Sequence, residues 1–581
     1  MNSESPTTHS ARLQSPLFRR VLQVVVLLGC LLAAWSVVQG WQWSHARLTS
    51  TGCEEEALFP IWKAAQGLPV YADSDEVPFS VSYYNWLFFA VYGGAVKAVS
   101  AIANLDSSAL PGIARSLTMS FAAACIGIIY LILGALKLGG LCASRLGRLG
   151  CSVFLIINPL TGPWLYTARP DIAAIACELT GVWFALRYVQ RMGRNSLIAS
   201  VVCGLLAWSF KQNFVHLLGG LWFFLLLKKK WRDLALLSVI SISVAAGTLL
   251  LGGSAYRHAL IGAQLNCIVN AESAWMFFQQ ATASAPQLVA LAAGLLIILL
   301  LRKRWQVSAP VELLASIGGV AFVIGFLGVS KQGADTNYFI PASVFGMIWC
   351  LSLKMGATSP RPSPPFGMGE RVLEGRERGR SITLAIPSPS EARRGISVIY
   401  GSSVAVAAVT IAVGLWPQLM KTGDSAVQIV RARNVNANAV SPNAAVVSQI
   451  DLLKQHLREL PGPVFITDRA CNLPWIQTKS PHIVYSFMYT LDKQAGHEFE
   501  GGGIGGLIEA GYFETLVVLD RDCACESPFL ERKLCSHLTM NHLPMVRSGD
   551  VPTIDGGRMT HYAFAFQDGL FKYYTRRNAA Q

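Results

Sequence analysis

The chain has 581 residues, of which 52% are hydrophobic and only 14% charged, so it lacks the polar surface of a soluble domain, where about a quarter of residues carry charge. Repeated apolar runs of membrane-spanning length make it a polytopic membrane protein instead. The formal net charge of +14 does not mark a nucleic-acid partner, because the basic residues fall mostly in short loops on one side of those runs, the positive-inside pattern.

In chain order, residues 1–18 are polar and predict a disordered cytoplasmic tail. Arg19 and Arg20 precede the apolar run Val21–Val38, which no small-residue cleavage site follows. It is expected to be an uncleaved first span, with the N-terminus in the cytoplasm. Residues 44–114 then form an external loop. Within it Glu54, Glu55 and Glu56 come directly before Ala57, Leu58, Ile61, Trp62 and Ala65, which recur at helical spacing. This predicts an amphipathic helix lying on the membrane surface. Its acids either complement the helix macrodipole or supply a base at the membrane–water boundary. Trp86–Ile102, apolar but glycine-rich and carrying Lys97, is expected to be a half-embedded external helix, since counting it as a span inverts the charge pattern of every later loop.

Further spans are expected at about 116–136, 149–166, 171–187 and 196–210, then one ending at Lys228, then 234–252, 286–301, 311–329 and 338–353. Residues 354–395, rich in Pro, Gly and Arg, read as a disordered cytoplasmic loop. The last span falls within 396–418, giving about eleven, and the membrane domain proper runs over 19–353. From 419 to 581 the composition is that of a soluble region. Pro463–Thr467 and Thr515–Leu519 read as buried strands, with a helix over Gln449–Leu460, so a small extracytoplasmic α/β domain is expected. The thirteen cysteines lie mostly inside apolar runs, without zinc spacing; Cys523, Cys525 and Cys535 are free to form a disulfide if their region is exported.

Charged side chains near membrane depth tend to mark function. Four polar clusters surface on one side: Glu54–Glu56; Arg169 with Asp171; Lys211 with Gln212; and Lys331, Gln332, Asp335, Asn337 and Tyr338. Each has a plain structural explanation: a surface pair, snorkelling lysines, or a turn and helix cap. Together they suit a site that binds an anionic headgroup through Lys and Arg and removes a proton with a carboxylate. Gly501–Gly506 lacks the lysine of a phosphate loop and reads as a flexible loop. Asp520 and Asp522, and Asp468 after the first strand, are weak catalytic candidates in a compartment where nucleotide sugars are scarce.

The ordered set carries a resemblance. A span leads to the acid-rich helix, then to Gly67-Leu68-Pro69-Val70-Tyr71 and an aromatic-rich segment; after two spans comes Ala168-Arg169-Pro170-Asp171, later Lys211-Gln212, and finally Gln332 to Tyr338. Over about residues 15–350 this resembles the GT-C superfamily of membrane glycosyltransferases, which includes the protein O-mannosyltransferases, aminoarabinose transferases and oligosaccharyltransferases. The resemblance implies transfer of a sugar from a polyprenyl-phosphate carrier, with inversion, on the extracytoplasmic face of the inner or plasma membrane. The acceptor is a glycan, lipid or protein, and the other partners are membrane lipids. It implies a first-loop acid at Glu54 or Glu55, where the usual aspartate is replaced by three glutamates, and a second acid at Asp171. Arg169, Lys211 and Lys331 become candidates to neutralise the phosphate, with Glu56, Gln212, Gln332, Asp335, Asn337 and Tyr338 lining the substrate. No cofactor is implied beyond a divalent metal that some members bind and others do not need. The alternatives are a transporter or flippase for a lipid-linked or anionic substrate and a non-catalytic envelope assembly protein; the absence of an internal repeat and the placement of polar clusters at span ends favour the enzyme.

Overall fold

The computed structural model describes residues 54–293, 308–353, 442–519 and 545–577, apart from scattered single residues and pairs, together with parts of a helical stretch between 24 and 41. The expected tail at 1–18, the loop at 354–395, the span within 396–418, Gln332, Asp520, Asp522 and the three C-terminal cysteines lie outside the described residues.

Most of the described chain is helical. Five helices are long and apolar enough to cross a membrane by length and composition: Trp86–Ala103, Ser107–Ala135, Asp171–Arg191, Trp231–Leu251 and Ala309–Val329. Shorter apolar helices run over Val26–Trp35, Arg194–Phe210 and His216–Leu227. These long apolar helices point to an integral membrane protein. The expected count of about eleven is not reached among the described residues, and two expectations change. Trp86–Ala103, expected to lie half-embedded outside, is itself long enough to span. The run at 149–166 is not one helix. Arg145–Ile156 ends where Asn158 Oδ1 accepts the backbone N–H groups of Leu160 and Thr161, and a 3₁₀ turn over Gly162–Tyr166 follows. Twelve residues rise about 18 Å, short of a hydrocarbon core of about 30 Å.

Small residues set the helix spacing. A Cβ on Gly220 would fall 2.5 Å from Ile317 Cα, so His216–Leu227 lies backbone-close to Ala309–Val329. Gly181 meets Leu217 and the Ser200 carbonyl in the same way, and Ser200 Oγ donates to the Gly181 carbonyl at 2.8 Å, locking Asp171–Arg191 against Arg194–Phe210.

The C-terminal region is mixed α/β, as expected. Strands β1 (Val464–Ile466), β2 (Thr515–Leu519), β6 (Tyr562–Asp568) and β7 (Phe571–Arg576) form one sheet in the order β1-β2-β7-β6. β1 and β2 are parallel, with Val464 opposite Thr515, and their crossover carries the helices Phe487–Gln494 and Gly503–Glu509, as a parallel pair requires. The second of these helices starts inside the glycine run read as a flexible loop. Strands β3 (Met545–Ser548), β4 (Val551–Ile554) and β5 (Gly557–Arg558) make a smaller antiparallel sheet.

Strand alternation divides the core of this region in two. Val464, Ile466, Val517, Phe571 and Tyr573 pack against Ile450, Leu453 and Leu457 of the helix Pro442–Glu459. Phe465, Leu516 and Val518 face the other way, onto Tyr489, Ile504 and Ile508, and this layer also holds Phe79 from the first loop. Phe79 is fully buried, edge-on to Phe499, while Glu500 N–H donates to the Asp75 carbonyl beside it. In return, Leu473 and Val484 sit in the core of the helical bundle. The loop before Trp86 and the α/β region therefore interlock.

Candidate functional site

The site is built around α1 (Glu55–Gln66). Acids open it, and Gly67 ends it in a left-handed conformation (φ 73°), so that the Leu68 and Gly67 N–H groups bond back to the Lys63 and Ala64 carbonyls. The helix does not lie on a membrane surface, as its spacing suggested. Both faces are covered: Glu55, Glu56, Leu58, Phe59 and Ile61 are all buried. One face meets Trp86–Ala103, where a Cβ on Gly93 would stand 2.5 Å from Ala64 Cβ. The other meets the α/β region, whose His482 ring lies edge-on to Trp62.

Each of the three glutamates has a different partner. Glu54 takes a two-point ion pair from Arg115, Nε to Oε1 at 3.1 Å and Nη2 to Oε2 at 2.6 Å, and its Oε1 also accepts the Ala168 N–H at 2.7 Å. Glu56 accepts from the Tyr83 hydroxyl and from Arg469 Nη1. Glu55 Oε1 lies 2.6 Å from Arg469 Nε, an ion pair without a well-aligned hydrogen bond. Burial pushes the Glu55 carboxyl up to about 7; Arg469 opposes this, and the Glu56 and Asp468 charges add to it.

Asp171 starts the helix Asp171–Arg191 and is buried. Its Oδ1 accepts from Lys211 Nζ at 2.7 Å and from Asn337 Nδ2 at 2.9 Å, while Oδ2 faces Arg169 Nε at 3.8 Å. Aromatic rings wall the cations. Lys211 Nζ lies 5.1 Å from the Tyr338 ring centre and 5.9 Å from those of Tyr84 and Phe214; the Arg169 guanidinium lies 4.9 Å from Trp164 and 5.7 Å from Tyr84.

The groups are contiguous. The segment 167–171 gives one N–H to Glu54 and carries Arg169 and Asp171, while Tyr83 bonds Glu56 and the neighbouring Tyr84 ring faces Arg169 and Lys211. Glu54, Glu55, Glu56, Arg169, Asp171, Lys211, Asn337 and Tyr338 are thus brought together. Gln212 lies beside them in a supporting role, its amide donating to the Tyr83 carbonyl at 2.8 Å. Asp335 is not drawn in: exposed, it caps its own turn at Thr336; Lys331 pairs through its backbone with Val269. Asp468 is buried behind Glu55 and caps the turn at Cys471.

Among the described residues no group of three or more His, Cys, Asp or Glu side chains could hold a metal ion. The carboxylates here are matched to Arg115, Arg169, Lys211 and Arg469, a donor set that does not fit a divalent cation.

Sequence reasoning passed over Arg115, Tyr83, Arg469 and the buried pair of Glu178 with His216, in which His216 Nδ1 lies 2.9 Å from Glu178 Oε2 and the Leu217 N–H donates to Oε1 at 3.0 Å. Arg115 and Glu178 carried a signal, each being an isolated charge within an apolar helix. Comparison of the chain with protein-family models and with curated proteins gives no match.

Proposed function

We propose that this protein is a membrane glycosyltransferase that moves a sugar from a polyprenyl-phosphate carrier to an acceptor hydroxyl on the extracytoplasmic side. The observation that supports this most is the meeting of Asp171, Lys211 and Arg169 with the Glu54–Glu56 acids, at helix ends drawn from widely separated parts of the chain. Lys211 and Arg169 are the groups suited to a phosphate, with aromatic faces around them for the sugar.

Glu54, tied at two points to Arg115, acts as an anchor. Glu55 is the base: it is buried, and its carboxyl is poised near neutrality. The acceptor oxygen attacks the anomeric carbon, and its proton passes to the Glu55 carboxylate. The bond from the anomeric carbon to the phosphate oxygen breaks, the lipid phosphate leaves with the electron pair, and the configuration inverts. No step needs a metal.

The test is glycan and lipid analysis of a deletion strain carrying plasmid copies of the gene. The wild-type copy should restore one missing envelope sugar; Glu55→Gln and Asp171→Asn should not. An envelope unchanged by the deletion, or restoration by both variants, refutes the proposal.

One observation favours a second reading, transport of an anionic or lipid-linked substrate. Glu178 and His216 are buried together seven residues, about 10 Å, along the helix from Asp171, deep in the bundle, as a proton relay would require. Proton-coupled uptake into vesicles that Glu178→Gln abolishes would decide for it.

A further inference from the structure

The α/β region is joined to the acid-bearing helix by one buried side chain. Arg469 follows strand β1 in a short 3₁₀ turn, 413 residues from Glu56, and is 4% exposed. Its Nε meets Glu55 and its Nη1 meets Glu56, so a single guanidinium spans two adjacent carboxylates. The centre of the Tyr485 ring lies 5.7 Å from its guanidinium carbon. Asp468, next to it in sequence and also buried, adds a third negative charge to the same place.

Two neighbouring carboxylates in a dry interior repel, and one tends to keep a proton unless a cation is fixed between them. The other two charges that act on Glu55, those of Glu56 and Asp468, are both acids. We infer that Arg469 is a positioning residue of the site: the α/β region supplies the counter-ion that lets Glu55 and Glu56 lose their protons side by side, and the membrane helices alone do not make a working acid pair. The region is then a component of the site rather than an appendage for acceptor recognition. This rests on the reading of Glu55 as the base, but its test does not use the transfer reaction.

The test follows the protonated-carboxyl stretch by infrared difference spectroscopy as a function of pH, on the full-length protein in lipid nanodiscs. In the wild type one carboxyl should titrate near neutrality, and it should vanish in Glu55→Gln. Arg469→Gln should move that midpoint up by about one pH unit or more, while Arg469→Lys, which keeps the charge, should move it less. Glu56→Gln is the reciprocal variant and should move the midpoint down, because it removes the repelling charge while Arg469 stays. It decides the matter if Arg469→Gln is not recovered folded. A merely structural arginine would lower thermal stability in both Arg469 variants and leave the midpoint where it was. An unmoved midpoint in folded Arg469→Gln, or in Glu56→Gln, overturns the inference. Midpoints that shift as stated, in a protein whose deletion leaves the envelope sugars unchanged, would instead count against the transferase reading alone.

Discussion

Arg115 and Glu54 form a two-point ion pair with both side chains at most 1% exposed, one turn into an apolar helix and directly beneath the segment that carries Asp171. A carboxylate so engaged is a poor base and a strong fastener. Its Oε1 also accepts the Ala168 N–H, and that bond fixes where the next helix begins.

Glu54→Gln is therefore expected to act through stability. It leaves a buried guanidinium without its charge partner, at a cost of about 3–5 kcal/mol, whereas the double replacement Glu54→Gln with Arg115→Met should recover much of that loss. Thermal unfolding in detergent checks this. A single variant that is fully stable but inactive would make Glu54 a reacting group instead.

Lys211 is expected to tolerate no replacement. Its ammonium lies 2.7 Å from Asp171 and is walled by Tyr84, Phe214 and Tyr338, a space shaped for a point charge. Lys211→Met removes the nearest charge partner of Asp171, leaving it the Asn337 amide and the more distant Arg169, and should cost about 3 kcal/mol; Lys211→Arg should also fail to restore function, since a planar fork cannot take the same place. Restoration by Lys211→Arg in the deletion strain would refute this.

Glu55 gives the fold a pH dependence of definite sign. Its carboxyl is raised from 4.5 to about 7, so between these values the folded chain holds a proton that the unfolded chain has lost. The contribution of Glu55 to stability is greatest below pH 4.5 and is lost as pH rises through about 7, by about 3 kcal/mol. Thermal midpoints measured across this window should show the decline in the wild type and lack it in Glu55→Gln.

A second pH effect is expected where the α/β region meets the bundle. His258 lies 3.4 Å from Asp492, Asn266 donates to the same carboxylate, and His497 lies 3.1 Å from Asp75. The bond to Asp492 raises the His258 imidazole above its usual 6.5, with Asp75 and Asp73 adding to the effect. The charged form thus strengthens the junction below pH 6.5, and that support is lost as pH rises through the higher folded value. Hydrogen exchange over Phe487–Gln494 should quicken with pH beyond its chemical rate, and His258→Gln should remove the excess.

Gly93→Ala should disturb the site from a distance. The added methyl would press on Ala64 and the Ala65 backbone, pushing α1 away from Trp86–Ala103. Overpacking of this kind costs about 1–3 kcal/mol. A lower thermal midpoint, with the Glu55 titration shifted as well, is the expected result.

The sequence made the ends of α1 legible, because acids start it and a glycine stops it, and it made β1 and β2 legible as short apolar runs. It also placed Asp171, Lys211 and Asn337 among the polar groups at helix ends. It could not show that α1 is covered on both faces, since the cover comes from a region some 400 residues further along. The same distance hid Arg469, whose neighbours in sequence say nothing of Glu55. Lys331 and Asp335 looked like site residues because they belong to the same polar run as Asn337 and Tyr338, of which Asn337 bonds Asp171 and Tyr338 faces Lys211, whereas Asp335 is exposed and caps its own turn.

Phe79 lies in a core whose first strand begins at Val464, so a ribosome adds nearly 400 residues before that aromatic ring has anywhere to go. Until Phe465, Tyr489 and Ile504 exist, the early loop carries a bare hydrophobic tip. A nascent chain halted before the late strands keeps that tip showing, a mark that quality-control proteases and chaperones are built to find. Concealment of Phe79 therefore waits on synthesis of the α/β region, and an early loop reports on the arrival of a late one.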